Sequence, residues 1–405
     1  MNNEIRNESQ ALPESIRYVG ADDLTLPLFE NQYPVQPMGV SYNSYLILDE
    51  KVAVMDSVDA RSADEWLAKL AHELDGRRPD YLVISHMEPD HSGSIRGFME
   101  AFPQACVVSS QKAFTMMKNF FEGEEYADRR VVVGEGVVLD LGAHKLNFVA
   151  APMVHWPEVV MTYDSTDKVL FSADGFGKFG ALDKCGETGA DDDDWACEAR
   201  RYYFGIVGKY GMQVQAVLKK AAKLDIQTIC PLHGPVLMED LGYYIGLYDT
   251  WSSYGSESKG VVISYTSVYG NTKKAVELLA EKLEAKGVPE VVVNDLARSD
   301  IAECVEDGFR YDTQVFATTT FNNDIFPFMK EYIHHLTERN YQKKNVAFME
   351  NGSWAPTAAK TMKAMLEGCK ELNYAENGVK IVSALNDESR AQIEALAEEL
   401  AALYK

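Results

Sequence analysis

The sequence His86-Met87-Glu88-Pro89-Asp90-His91 places four potential metal ligands within six residues. It follows Tyr81–Ser85, an apolar run typical of a buried strand, and a helical segment comes directly after it. The four side chains can therefore converge where the backbone turns. Imidazole and carboxylate groups together are ligands of iron, manganese or zinc, and the lack of cysteine argues against a soft metal. Taken alone, the cluster could equally be a solvated loop.

Three later residues occupy comparable positions. His155, Asp174 and His233 each come shortly after a strand-like run. A single histidine at such a place is more often structural than metal-binding. Their joint occurrence after successive strands, in a fold whose strands could all point one way, favours one shared metal site.

The first part of the chain begins with β-hairpins and continues with alternating strands and helices. This order predicts two mixed sheets sandwiched between helices. Helices are predicted at Ala63–Leu74 and near Tyr203–Leu224. The predicted strands are Ser41–Leu48, Val52–Val58, Tyr81–Ser85, Cys106–Ser109, Val131–Val133, Val137–Leu141, Lys145–Ala150, Val159–Tyr163, Lys168–Ser172 and Ile226–Cys230.

A Ser/Gly-rich stretch, Trp251–Gly260, indicates a linker between two domains, predicted at residues 1–252 and 259–405. The second domain alternates strand and helix, which is the plan of an open, doubly wound, five-stranded parallel sheet. Its predicted strands are Val261–Tyr265, Glu290–Asn294, Gln314–Thr318, Asn345–Glu350 and Lys380–Ser383. Its predicted helices are Thr272–Lys286, Phe328–Arg339, Ala358–Leu372 and Glu388–Tyr404.

A hydroxyl-rich loop follows the first strand of the second domain and opens a helix. Hydroxyls and backbone N–H groups at a helix N-terminus suit a phosphate group, whereas no lysine of a nucleoside triphosphate loop is present. A plain helix cap with turn residues is the weaker alternative. The predicted phosphate-binding residues are Thr266, Ser267, Val268, Tyr269, Gly270, Asn271 and Thr272.

Two more loops follow the third and fourth strands, where the ligand of such a sheet is bound. Trp354 in the second of these loops could stack on a planar ring, or could equally cover a core edge. The predicted ligand-binding residues of these two loops are Thr318, Thr319, Thr320, Phe321, Asn322, Asn323, Asn351, Gly352, Ser353 and Trp354.

The first domain resembles the metallo-β-lactamase superfamily from about Ser41 to Gly234, with its pattern His-x-His-x-Asp-His followed by distant His, Asp and His. Glu88 stands where hydrolases have the second histidine, as in the flavodiiron branch. That resemblance implies two iron ions bridged by Asp174. One iron would be bound by His86, Glu88 and His155, and the other by Asp90, His91 and His233. The adjacent Asp90 and His91 need not both reach a metal.

The second domain resembles flavodoxin from about Lys259 to Lys405, which implies FMN as its ligand. Together the two domains resemble a flavodiiron protein. This resemblance implies reduction of dioxygen to water, of nitric oxide to nitrous oxide, or of both. It also implies a reduced rubredoxin or similar electron donor, and a head-to-tail homodimer or dimer of dimers. The alternatives are a zinc-dependent hydrolase with a flavodoxin domain and a pure electron carrier.

The composition limits the classes of partner and the cellular location that we expect. The net charge of −23 argues against nucleic acid or an anionic membrane as the main partner. The six cysteines never form a Cys-x-x-Cys pair, a pattern typical of reduced intracellular proteins without an appended rubredoxin. The first twenty residues lack the apolar core of a signal peptide. We therefore expect a cytoplasmic protein.

The remaining histidines are not predicted to bind metal. His144 is expected in a turn or at the surface, and His72, His334 and His335 on helices. Tyr202, Tyr203 and Phe204 are possible pocket residues, although aromatic residues on a helix are more often core.

Overall fold

The computed structural model describes residues 12–185 and 195–405. The chain divides into two compact units, and the boundary between Tyr248 and Asp249 falls inside helix α8 (Leu241–Ser252). The first eleven residues, on which part of the signal-peptide expectation rests, lie outside the described residues. In the described part of the chain, no helix has the length and apolarity needed to cross a membrane.

The first unit is built on short strands. In chain order they are β1 (Ile16–Tyr18), β2 (Ala21–Asp23), β3 (Leu28–Phe29), β4 (Tyr33–Pro34), β5 (Val40–Tyr42), β6 (Tyr45–Ile47), β7 (Ala53–Met55), β8 (Tyr81–Val83), β9 (Cys106–Ser110), β10 (Arg130–Val133), β11 (Val138–Asp140), β12 (Lys145–Ala150), β13 (Val160–Asp164), β14 (Val169–Phe171) and β15 (Thr228–Cys230).

These strands form two mixed sheets, as the sequence predicts. The first has the order β1-β6-β7-β8-β9-β10, with parallel pairing from β7 to β10. The second has the order β11-β12-β13-β14-β15, with one parallel pair, β14 and β15. Two small two-stranded antiparallel sheets, β2 with β5 and β3 with β4, lie outside these sheets.

One apolar core joins the two sheets. Met55 and Val108 from the first sheet belong to the same cluster as Phe148 and Phe171 from the second, and all four are at most 2% exposed. The two inner faces are therefore packed against each other, which is the sandwich predicted from the order of the elements.

Helices cover the first unit. They are α1 (Ala63–Leu74), α2 (Pro89–Ser92), α3 (Ile95–Ala101), α4 (Gln111–Phe120), α5 (Leu182–Cys185), α6 (Trp195–Tyr202) and α7 (Gly211–Ala221). The predicted continuous helix Tyr203–Leu224 is wrong. The chain there contains a π-helical turn, Tyr203–Val207, and a 3₁₀ turn before α7 begins. Glycines at 205, 208 and 211 lower helix propensity there.

The second unit is a parallel sheet with the strand order β17-β16-β18-β20-β21. Read along the chain this is the order 2-1-3-4-5, that of a doubly wound flavodoxin-like sheet. Its strands are β16 (Ser258–Tyr265), β17 (Val291–Asp295), β18 (Tyr311–Phe321), β19 (Asp324–Ile325), β20 (Gln342–Asn351), β21 (Lys370–Tyr374) and β22 (Val379–Ile381). Its helices are α9 (Asn271–Ala285), α10 (Ile301–Arg310), α11 (Pro327–Glu338), α12 (Ala358–Met365) and α13 (Asp387–Ala402).

The fifth strand position differs from the prediction. Helix α12 ends at Met365 rather than at Leu372, and β21 follows. Both β21 and the predicted strand β22 pair with β20, at successive parts of its length. Helical spacing of apolar residues continues past Gly368, so the sequence pattern did not reveal that the helix stops before this glycine.

One lysine is fully buried in the second unit. The Lys344 ammonium donates hydrogen bonds to the Ser256 hydroxyl and to the carbonyls of Phe309 and Tyr311, at 2.7, 2.5 and 2.7 Å. Burial lowers the pKa of Lys344 to about 7. An unfolded lysine has a pKa of about 10.4, so between about pH 7 and pH 10.4 this lysine is protonated in the unfolded chain but largely neutral in the folded protein. The free energy of unfolding therefore rises with pH over that range.

Lys344→Met removes this titration. We expect the thermal stability of wild-type protein to rise more steeply from pH 7 to 9.5 than that of the variant. The variant should also be less stable at pH 9.5, because the carbonyls of Phe309 and Tyr311 each lose a buried hydrogen bond worth about 0.5–1.5 kcal/mol. Differential scanning calorimetry of both proteins measures this difference, with the exposed Lys330→Met as control. Parallel slopes for Lys344→Met and wild type would contradict it.

Candidate metal and flavin sites

The predicted metal ligands lie on loops that leave the strands of both sheets. His86 follows β8, and Pro89 at the first position of α2 turns the chain directly after Glu88. Proline suits this position because its missing N–H has no partner in a first helical turn. His155 lies in the β12–β13 loop, and Asp174 and His233 follow the neighbouring strands β14 and β15.

The structure brings all seven predicted ligands together, including both Asp90 and His91. They form two groups, in each of which one ligand atom per residue lies within 4.8 Å of the others. The first group is His86, Glu88, His155 and Asp174, and the second is Asp90, His91 and His233.

Asp174 lies between the two groups. Its Oδ2 is 3.3 Å from His86 Nε2 and 3.4 Å from His155 Nε2. Its Oδ1 is 3.3 Å from His91 Nε2 and 3.7 Å from His233 Nε2. Each carboxylate oxygen therefore faces one pair of histidines, which is the arrangement a bridging ligand requires.

The spacing of the ligand atoms fits bound metal ions. Glu88 Oε2 is 3.2 Å from His86 Nε2 and 2.9 Å from His155 Nε2. Asp90 Oδ2 is 3.3 Å from the Nε2 atoms of His91 and His233. Bonds of about 2.0–2.2 Å from one metal place its ligand atoms about 3.0–3.5 Å apart.

Buried atoms at this site also lack hydrogen-bond donors. Both carboxylate oxygens of Asp90 and of Asp174 are buried and find no hydrogen-bond partner among residues 12–185 and 195–405. The Nε2 atoms of His91 and His233 face each other at 3.0 Å. Buried carboxylates are costly unless a cation or donor compensates them, so the site is suited to cations.

The ionisable groups influence each other strongly. Burial alone would raise the pKa of Asp174, but the imidazoles of His86, His155 and His91 lower it well below its usual range. Burial opposes the charged form of His155, yet Asp174 and Glu88 raise its pKa to about 9. The carboxylates thus favour positive charge at the point where the histidine nitrogens converge. A metal cation bound there would supply that charge.

Two carboxylates near the site were not predicted from the sequence. Burial and the neighbouring Glu88 raise the pKa of Glu30, in the β3–β4 turn, to about 8. Glu158 Oε1 accepts hydrogen bonds from His86 Nδ1 at 2.8 Å and from the Met87 backbone N–H at 2.9 Å. The sequence offered only the proximity of Glu158 to His155 as a signal, and offered none for Glu30.

Aromatic residues line the second group of ligands. The ring centroids of Phe29 and Tyr202 lie 5.3 and 5.5 Å from that of His233. Tyr202 therefore lines the site and also belongs to the core. Tyr203 and Phe204 are buried core residues in the π-helical turn that follows it.

His144 is in a turn, as predicted, but the prediction of a possible surface position is wrong. It is 5% exposed, and its Nδ1 lies 2.7 Å from Asp164 Oδ2. This ion pair raises the pKa of His144. His72, His334 and His335 lie on helices α1 and α11, as predicted.

The three predicted flavin loops follow β16, β18 and β20, which are adjacent strands of one parallel sheet. Gly270 precedes α9 with a φ of 87°, a left-handed conformation that glycine adopts without strain. The Ser267 hydroxyl accepts hydrogen bonds from the N–H groups of Gly270 and Lys273. Gly270 has no side chain that could cap α9, so the backbone N–H groups of Asn271 and Thr272, ahead of the Lys273 N–H that Ser267 accepts, can face an anion.

Side chains link the loops to one another. The Thr266 and Thr318 hydroxyl oxygens lie 2.6 Å apart, and Asn351 Nδ2 donates to the Thr272 hydroxyl at 3.3 Å. Trp354 is 92% exposed. Of the two interpretations of this tryptophan, covering a core edge is therefore wrong. The loops offer a hydroxyl-rich end at the start of α9 and a large exposed ring at Trp354.

Comparisons with known proteins agree with this geometry. A family profile described as "ODP family beta lactamase" matches residues 40–234. The rubredoxin oxygen:oxidoreductase of Desulfovibrio gigas superimposes with a TM-score of 0.89 and 25% identity over 97% of both chains. The flavodiiron protein of Giardia intestinalis gives 0.87 and 26%, covering 98% of this chain and 97% of that one.

A protein named nitric oxide reductase from Moorella thermoacetica is 31% identical over 371 residues, 91% of this chain and 92% of that protein. The chain belongs to the flavodiiron protein family. It is thus an oxidoreductase whose cofactors are FMN and a non-haem diiron centre, and the hydrolase alternative is not favoured.

The exposed tryptophan of this flavodiiron protein gives a test of the flavin loops. Trp354→Ala should weaken FMN binding by about 0.5–1.5 kcal/mol, roughly 2- to 13-fold, because ring stacking is lost. It should also increase the fluorescence of the bound flavin. Titration of FMN-depleted protein with FMN measures both. Tyr243→Ala, which removes an exposed ring of the first unit, is the control, and equal affinities in all three proteins would contradict the assignment.

Proposed function

We propose that this flavodiiron protein reduces dioxygen to water, nitric oxide to nitrous oxide, or both, at two irons supplied with electrons through FMN. His86, Glu88 and His155 would hold the first iron, and Asp90, His91 and His233 would hold the second. Asp174 would be shared by the two metal positions. The position of the two Asp174 oxygens, one toward each group of histidines, is the observation that supports this proposal most directly.

The ligand set supports iron and redox chemistry. Glu88, Asp90 and Asp174 supply three carboxylates to seven ligands, which favours a hard cation that cycles between ferrous and ferric states. When bound, the irons and FMN supply four electrons to each dioxygen, with four protons, or two electrons to each pair of nitric oxides, with two protons.

The protein groups hold and enclose this centre. The histidine nitrogens and carboxylate oxygens fix the distance between the two metal positions. The rings of Phe29 and Tyr202 limit the access of water on the side of His233. In the second unit, the N-terminus of α9 and the hydroxyls of Thr266 and Ser267 would bind the FMN phosphate, and Trp354 would stack on its ring.

We infer that the electron donor is a reduced rubredoxin or a similar small carrier, and that the protein works as a head-to-tail homodimer or a dimer of dimers. The name of the Desulfovibrio gigas protein, which includes rubredoxin, supports the donor. The family resemblance alone supports the dimer, for which light scattering is the test. The scattered cysteines support a cytoplasmic location.

The two gases can be tested on one preparation. Iron-loaded, FMN-replete protein is supplied with excess reduced rubredoxin, and the consumption of dioxygen and of nitric oxide is followed separately at matched concentrations. We expect at least one gas to be consumed without release of peroxide. Asp174→Asn, which would weaken the shared ligand, should lose at least about tenfold in rate, and the exposed Asp128→Asn should retain full rate.

Fast dioxygen loss with little nitric oxide loss would define an oxygen reductase, and the reverse would define a nitric oxide reductase. If neither gas is consumed while iron and FMN are verifiably bound, the proposed function is wrong.

A further inference from the structure

We propose that Glu158 is a positioning residue for His86, and that its negative charge makes the iron bound by His86 the more easily oxidised of the two. This inference rests on the proposed ligand assignment. It adds a residue that is not itself a ligand and assigns different electronic roles to the two metal positions.

The contact that carries the inference is fully buried. The side chains of Glu158 and His86 are both 0% exposed, and Glu158 Oε1 lies 2.8 Å from His86 Nδ1. A carboxylate at this distance accepts the Nδ1 proton, which leaves the lone pair of the ring on Nε2. That atom is the one 3.2 Å from Glu88 and 3.3 Å from Asp174. Glu158 thus selects the tautomer that can bind metal.

The loop that carries Glu158 is fixed on both sides. Glu158 Oε1 also accepts a hydrogen bond from the backbone N–H of Met87, and the Glu158 backbone carbonyl accepts one from the Ser110 hydroxyl at 2.9 Å. The Trp156 ring lies edge-on to His86, with centroids 5.1 Å apart. These contacts limit rotation of the imidazole, so its orientation is set before a metal binds.

The histidines of the other group have different partners. His233 Nδ1 lies 2.7 Å from the backbone carbonyl of Ser41, which is a neutral acceptor. His91 Nδ1 is buried and has no hydrogen-bond partner among the described residues. Of these three histidines, only His86 is therefore hydrogen-bonded to a carboxylate through Nδ1.

The difference has an electronic consequence. A carboxylate that accepts the Nδ1 proton of a ligand histidine increases the basicity of Nε2. A more basic ligand stabilises the ferric state relative to the ferrous state, because the ferric ion carries more charge. The iron bound by His86 should thus have the lower reduction potential.

Two substitutions separate charge from position. Glu158→Gln keeps an oxygen that can accept from His86 and Met87 but removes the charge, whereas Glu158→Ala removes the contact. The control is Glu65→Gln on α1, which also removes one negative charge but from a carboxylate that is 55% exposed and pairs with Lys69. The readouts are iron per chain, iron affinity, and the potential of each one-electron step, followed by electron paramagnetic resonance.

We expect Glu158→Gln to bind two irons and to raise the lower of the two potentials by about 59 mV, a tenfold change in that reduction equilibrium. Glu158→Ala should lose about 10- to 100-fold in iron affinity. Loss of iron from Glu158→Gln, with FMN content and thermal unfolding unchanged, would contradict this expectation and support only the positioning role of Glu158. It would mean that the charge is needed for binding itself.

Unchanged potentials and iron affinity in Glu158→Gln, with two irons bound, would overturn this inference and leave the proposed function intact. Failure of wild-type protein to bind two irons would instead overturn the proposed function. Should Glu158→Ala not fold, Glu158→Gln alone decides the question.

Discussion

The Asp174 carboxylate, buried between two pairs of histidines, is the interaction on which the arrangement of the first unit depends. The turn after β14 holds it in place. The Ser172 hydroxyl donates to the Gly175 carbonyl at 2.6 Å, and the Tyr248 hydroxyl accepts the Phe176 N–H at 2.6 Å. Ala173 and Phe176 have positive φ angles of 51° and 67°. Non-glycine residues rarely adopt such angles, and they cluster at functional sites.

A buried carboxylate without a donor is stable only beside positive charge. That requirement connects the two sheets, because the four histidines around Asp174 come from loops of both. It also explains the further carboxylates near the centre. Glu88 and Asp90 complete the two ligand groups, and Glu158 sets the tautomer of His86. The protein thus concentrates negative charge around two points, which suits iron better than a neutral histidine-rich set would.

Local patterns predicted much of this structure. All seven proposed metal ligands could be selected because they are histidine or acidic residues that come shortly after predicted strands. The alternation of strands and helices after residue 259 predicted the doubly wound sheet. These features depend on periodicity and on residue type within a short window. Which ligands share a metal was inferred from the family resemblance, because the spacing of the residues along the chain does not show it.

What the sequence did not reveal depends on contacts between distant segments. Glu158 is 72 residues from His86, and its role follows only from the packing of two loops. The burial of His144 follows from its contact with Asp164 across a pair of strands. Strand β21 continues an apolar pattern that also suits a helix, and only its pairing with β20 distinguishes the two structures.

The central claim is that Asp174 bridges two irons. Crystallography of the iron-loaded protein, with anomalous data collected on both sides of the iron absorption edge, tests it most directly. We expect two iron peaks about 3.5–4 Å apart. One should lie between His86, Glu88 and His155 and the other between Asp90, His91 and His233, with Asp174 bound to both. A single peak, or two peaks that Asp174 does not join, would contradict it.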